Sequence, residues 1–198
     1  MRSRFLPEGR LLHTPENEAA CASCDGLRRA MEEGTVLEGV AQLCDGAHNL
    51  LVSVGPFTGF LPREEAALGI AEGTTREIAI LSRVGKPVCF QITALEESGG
   101  VLRPRLSRRR AQAQALDWML RNLAPGMVIA CKVTHLESFG AFVDIGCGVP
   151  SLIGIENISV SRIPHPDQRF RVGQAIFAVV QELDPKLGRV YLTHRELL

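Results

Sequence analysis

Two phenylalanines, Phe139 and Phe142, carry the most distinctive chemistry in this chain, flanking Gly140 within the stretch E-S-F-G-A-F-V-D-I-G from Glu137 to Gly146. In an extended strand alternate side chains share a face. Ala141, Val143 and Ile145 then line one side, and Phe142 and Asp144 the other. A ring beside an aspartate, opposite an aliphatic stripe, reads as an exposed ring on a barrel wall. Strict alternation turns Phe139 inward as an ordinary core residue. A bulge or bend at Gly140 would instead swing it out beside Phe142. Two neighbouring exposed rings make a platform on which flat bases can stack. The groups nearby bind rather than react. Ile129, Cys131 and Val133 face one way, which puts Lys132 and Thr134 on the outer side, and His135 follows directly. Histidines 13, 48, 135, 165 and 194 have no visible partners, and there is no carboxylate cluster, Ser–His–Asp order or phosphate loop. The residues point away from an enzyme.

Composition narrows the classes further. Lysine plus arginine equals aspartate plus glutamate at 22 each, so a nucleic acid would be held by a local patch and not by overall attraction. Of six cysteines, only Cys21 and Cys24 form a C-x-x-C pair. Zinc needs a second pair, or two histidines at short spacing, so no metal and no cofactor is expected. Cys89 and Cys131 fall inside apolar strand patterns, where a free thiol behaves as a small hydrophobe. No apolar run approaches a membrane span, and the N-terminus lacks a signal-peptide core. A cytoplasmic protein without membrane contact is the expectation.

The strands that must position the two rings run from Leu123 to Leu198. They read P-G-M-V-I-A-C-K-V-T-H-L-E-S-F-G-A-F-V-D-I-G, then S-L-I-G-I-E-N-I-S, then F-R-V-G-Q-A-I-F-A-V-V-Q-E-L-D, then G-R-V-Y-L-T-H-R-E-L. With these landmarks in this order, the stretch closely resembles the S-one RNA-binding domain, the repeated unit of the largest small-subunit ribosomal protein. The resemblance implies a small five-stranded OB-fold barrel over residues 125–198. In that family the RNA face is formed by two platform aromatics, a histidine on the third strand, and an aspartate and an arginine near the last two strands. It therefore implies RNA-binding roles for Phe139, Phe142, Asp184 and Arg189. Lys132 and His135 join them by position. The third-strand histidine falls on Gly154, a departure that removes one contact. His135 either substitutes for it in part or is an ordinary surface histidine. Asp184 and Arg189 either meet a base edge and a base or phosphate, or form a turn salt bridge within D-P-K-L-G-R.

Residues 34–107 repeat these landmarks. G-V-A-Q-L at Gly39 parallels C-K-V-T-H-L, L-L-V-S-V-G at Leu50 parallels A-F-V-D-I-G, and G-F-L-P at Gly59 parallels S-L-I-G. This half resembles a divergent S-one domain, with strands at Val36–Leu43, Asn49–Val54, Phe57–Leu61, Lys86–Leu95 and Val101–Leu106. Glu77–Val84 reads as an additional strand. His48 and Leu51 stand where the platform rings would be, and leucine has no π face, so this copy is expected to bind protein or brace the second barrel.

Residues 1–33 read as a helical extension, with helices capped by Thr14 and Ser23, the second ended by Gly34 and covering its own barrel. Residues 108–124 read as a helical linker capped by Ser107, with Trp118 as a packing anchor between the barrels. Phe177 and Val179, opposite Ile176, Ala178 and Val180, form an apolar patch for Trp118 or the first barrel. Arg108, Arg109 and Arg110 are candidate phosphate contacts; a solvated linker face is the alternative.

The fold expected is all-β with connecting helices, two small five-stranded OB-fold barrels joined by an α-helical linker. The function expected is non-catalytic single-stranded RNA binding in translation or ribosome association. Partners would be single-stranded RNA, and the small ribosomal subunit or another protein through the N-terminal barrel. The alternative is a protein-interaction adaptor with the barrels as scaffold. The chain ends soon after its last strand, as a piece of something longer would.

Overall fold

Alternation along the strands builds two small barrels. The computed structural model describes residues 3–198. In chain order these form α1 (Pro15–Cys21), α2 (Cys24–Glu33), β1 (Leu37–Cys44), β2 (Leu50–Val54), β3 (Phe57–Leu61), α3 (Ile78–Leu81), β4 (Pro87–Ser98), β5 (Val101–Ser107) and α4 (Arg108–Asn122). Then follow β6 (Val128–Glu137), β7 (Gly140–Asp144), β8 (Pro150–Gly154), β9 (Ala175–Asp184) and β10 (Arg189–Thr193), with short 3₁₀ turns between. No helix among the described residues is long and apolar enough to cross a membrane.

The chain divides into two compact units, one spanning Glu8–Ala113, the other Gln114–Leu198 together with the segment through Pro7. These bounds differ from the expected ones. The division falls inside α4, and the helical extension is part of the first unit's core.

In the first unit β1-β2-β3-β5-β4 form a closed barrel. Leu50, Val52 and Val54 alternate into its centre, fully buried. Helix α1 is capped by the Thr14 hydroxyl, and α2 by the Ser23 hydroxyl. Gly34 stops α2 in the left-handed region at φ 64°, where a side chain would be strained. Between those caps Leu27 and Ala30 enter the barrel core with Leu37, Val52, Phe90 and Leu106. Burying one such leucine contributes about 1.5–3 kcal/mol.

The expected extra strand is absent. Glu77–Val84 contains the short helix α3, and only Ile80 within that helix is buried. A closed barrel has no free edge to pair with, and the Glu77 carboxylate is tied to Arg63 and His48. His48 itself adopts φ 64° in the β1–β2 turn, and its ring Nδ1 meets the Glu77 carboxylate.

A buried polar network lies under the first unit's N-terminal segment. Arg108 grips Glu8 through Nη2 to Oε1 at 2.6 Å and Nε to Oε2 at 3.0 Å, and its Nη1 donates to the Ala66 carbonyl at 3.1 Å. Burial pushes the Glu8 carboxyl upward, but the Arg108 charge and hydrogen bonds, with Arg83, hold it below its ordinary value. Glu38 accepts the Gly9 amide at 2.8 Å through Oε2, while its buried Oε1 finds no hydrogen-bond partner among the described residues. Burial pushes Glu38 up to about 7, against the pull of backbone amides.

In the second unit the strand order is β10-β9-β6-β7-β8. The Ser151 hydroxyl donates to the Val190 carbonyl at 2.5 Å, joining β8 to β10. That is the seam where the first barrel has its parallel β3–β5 bridge, Phe60 to Arg105. The circular order is the same in both units, and each first strand is irregular at the matching place, between Ala41 and Leu43 and between Val133 and His135. Trp118 packs edge-on to Phe5, with ring centres 6.0 Å apart.

Candidate nucleic-acid interface

The site is built on the β6–β7 hairpin. Glu137 pairs with Gly140, which leaves Ser138 and Phe139 as a two-residue turn. Phe139 is lifted out of the barrel by that turn and is 54% exposed. Gly140 is not the bulge expected of it. It allows close approach of β8, because a Cβ there would stand 2.4 Å from the Ile153 carbonyl oxygen. Phe142, half-buried in mid-strand, points to the same outer side. The two ring centres lie 6.0 Å apart at 88°, edge to face, so each ring offers a differently oriented surface to a base.

The bulge is in β6 instead. The register shifts between Val133 and His135, so Thr134 is the extra residue and His135 pairs with Phe142. Strict alternation would have turned His135 inward. The signal was in the apolar spacing: Val133 is followed inward by Leu136, three residues on and not two. His135 lies 6.2 Å from the Phe142 ring, tilted 31°, and its Nε2 meets Glu137 Oε1 at 2.7 Å.

Lys132 stands on the same outer face, paired with Asp144 on one side and Ala175 on the other. Asp144 shares that face by alternation, yet it is buried. Its carboxylate is drawn under the following turn, where Oδ1 accepts the Gly146 amide at 2.8 Å and the Gly148 amide at 2.9 Å. On the inner face Cys131 is buried, which pushes its thiol up to about 12 with help from Asp144 and leaves it unreactive.

Asp184 and Arg189 face each other across β9 and β10, but no ion pair joins them among the described residues. Asp184 caps the turn instead, with Oδ1 accepting the Lys186 amide at 3.0 Å and the Leu187 amide at 3.1 Å. Arg189 is exposed next to Val190, the residue at the β8–β10 seam. Tyr191 belongs to no motif that would single it out in the sequence. It alternates with buried Val190 and Leu192, so it points outward from the strand that Ser151 ties to β8.

At the histidine position, Gly154 pairs with Gly140, and a Cβ there would meet Glu156 Oε1 at 2.4 Å. A carboxylate therefore hangs over the place where the resemblance puts an imidazole.

The three candidate arginines separate. Arg108 is 5% exposed and bound to Glu8, which removes it from any phosphate role. Arg109 pairs with Glu65, its Nη2 2.8 Å from Oε1. Arg110 is exposed and makes no ion pair among the described residues; its amide donates to the capping Ser107 hydroxyl at 3.0 Å. Phe177 is 61% exposed and so is not the covered contact expected of it.

Residues 122–195 match the family described as the S1 RNA binding domain. Over 186 residues the chain is 27% identical to the small ribosomal subunit protein bS1 of Neisseria meningitidis serogroup B, covering 92% of this chain and 31% of that protein. The bS1 protein of Mycobacterium tuberculosis strain H37Rv is 28% identical over 193 residues, covering 94% of this chain and 37% of that one. Protein tex of Bordetella pertussis is 38% identical over 114 residues, 57% of this chain and 14% of its own. The chain thus spans less than two fifths of each of these relatives.

Proposed function

We propose that this chain, an S1-family protein whose C-terminal barrel is an S1 RNA-binding domain, binds single-stranded RNA and catalyses no reaction on it. The observation that carries this reading is the pair of solvent-facing rings, Phe139 and Phe142, with His135 turned onto the same face. Bases stack on such rings for about 1–3 kcal/mol each. Two rings offer roughly 2–6 kcal/mol before ordering costs, which is micromolar-class binding at best. With a net charge of zero, the chain gains little from long-range attraction. Each phosphate contact would add only about −0.7 to the salt slope on a single strand.

Such a weak tether becomes useful when linked to a second site. The bS1 relatives support a place in translation, with the small ribosomal subunit as the partner that supplies this second site, and hence a cytoplasmic location. The first barrel, with Leu51 at the ring position, suits a protein contact or a bracing role. The Glu156 carboxylate over Gly154 favours a second reading, an adaptor that binds protein and not RNA.

Fluorescence anisotropy with a labelled uridine-rich oligonucleotide at low salt separates the two readings. The intact chain should bind it, and Phe139→Ala with Phe142→Ala should lose binding while melting as a folded protein. An intact chain that does not bind gives the lead to the adaptor.

A further inference from the structure

Phe177 projects from the middle of β9 with 61% of its surface exposed, while its neighbours Ile176 and Ala178 are buried. It shares the outer face with Lys132 and Phe142, and strand register fixes where. His135 sits opposite Phe142, and two residues along β7 Asp144 sits opposite Lys132. Across β6, Lys132 sits opposite Ala175, and two residues along β9 Phe177 sits opposite Ala130. Phe142, Lys132 and Phe177 therefore lie on a diagonal across β7, β6 and β9, and the only side chain opposite Phe177 on β6 is a methyl group. With strands about 4.8 Å apart and a rise of about 3.3 Å per residue, the two rings are roughly 16 Å apart. An extended strand, about twice the 3.4 Å stacked rise per nucleotide, crosses that in about two or three nucleotides, well inside the roughly 4–16 that one OB fold engages.

A ring, an ammonium and a second ring in line match an extended single strand, which presents base, phosphate and base in turn. We propose that Phe177 is a second stacking station for the same RNA strand, carrying the interface from the β6–β7 hairpin across β6 to β9, with Lys132 serving the phosphates between. This rests on the RNA-binding reading above and extends it to a residue outside the family's aromatic pair. Continuity with the hairpin rings, and a cation along the way, favour RNA over an apolar protein partner.

The test is anisotropy of the full chain with oligouridylates from about 2 nucleotides, too short to touch both rings, to about 16. Wild-type affinity should step up once the strand is long enough to reach Phe177. Phe177→Ala should match wild type on the shortest oligonucleotide and lose at least about fivefold on the longest, while Phe177→Tyr keeps the step. Phe177→Trp in a Trp118→Phe background should be quenched by long strands and not by short ones. If wild type binds and Phe177→Ala equals it at every length, the inference falls and the RNA-binding reading stands. If wild type binds no oligonucleotide, both fall. A change in sedimentation without a change in RNA affinity assigns Phe177 to a second copy of the chain and also overturns the inference.

Discussion

The His135 imidazole lies 6.2 Å from the Phe142 ring and 31° from parallel, because the bulge at Thr134 carries it to the outer face of the barrel. The first barrel bulges at the equivalent Gln42 and turns Leu43 outward, 54% exposed, beside half-buried Leu51. The two units share the backbone device and differ in what it displays. A histidine beside a phenylalanine presents two flat π surfaces, whereas two leucines present none. The contrast locates the proposed function in side chains, not in the fold.

Phe142→Leu installs the first barrel's residue in the second. Leucine keeps most of the apolar volume, so the melting temperature should stay within a few degrees of wild type. The π face is lost, and affinity for a uridine-rich strand should fall by at least about fivefold, the equivalent of about 1 kcal/mol of stacking. Paired anisotropy and thermal melts would show this. An unchanged affinity would mean that Phe142 serves packing alone.

Gly154→His should strengthen binding. Gly154 has φ −58° and ψ 150°, extended backbone that any residue adopts. The three atoms nearest to a Cβ there all belong to the end of the exposed Glu156 side chain, which is free to swing away. The substitution adds a ring and displaces a negative charge, so a gain of several-fold is expected. Glu156→Gln should give a smaller gain that shrinks with added salt. Titrations at two salt concentrations would separate charge from stacking.

Much of this was legible in the sequence. The alternation of Ile129, Cys131 and Val133 gave the inner wall of β6, and the caps at Thr14, Ser23 and Gly34 gave the helices. What escaped depended on contacts distant in sequence. Thr134 bulges where the only local hint is the three-residue step from Val133 to Leu136, and the partner strand sets the register. Glu77–Val84 is apolar enough for a strand, but the barrel closes without it. Arg108, Arg109 and Arg110 look alike as a charge run, and only the acids at Glu8 and Glu65 distinguish them.

That distinction is testable. Arg108→Gln leaves the buried Glu8 carboxylate without its bidentate partner, a change that costs about 3–5 kcal/mol. Arg110→Gln, on the surface, should alter stability by no more than about 0.5 kcal/mol. If Arg110 meets a phosphate, its removal should also lower the salt slope of RNA binding by about 0.7. Urea denaturation and salt titration would measure the two effects, and equal destabilisation by both substitutions would contradict the buried role of Arg108.

Glu38 makes stability depend on pH in the direction opposite to Glu8. Burial, with the nearby Glu8 charge, lifts Glu38 from 4.5 to about 7 against the pull of the Gly9, Leu11 and Leu12 amides. Because the folded state holds the proton more tightly than the unfolded chain, its stabilisation is complete below about pH 4.5 and is lost as pH rises through about 7. The difference corresponds to about 3 kcal/mol at most. Glu8 is depressed below its ordinary value, so its contribution is present above that value and lost in acid. Stability should therefore peak in mildly acidic solution and decline between about pH 5 and about pH 8. Glu38→Gln fixes a neutral side chain in the same place and should flatten that decline. Urea midpoints across this range would show it, and an identical decline in the variant would place the pH dependence elsewhere.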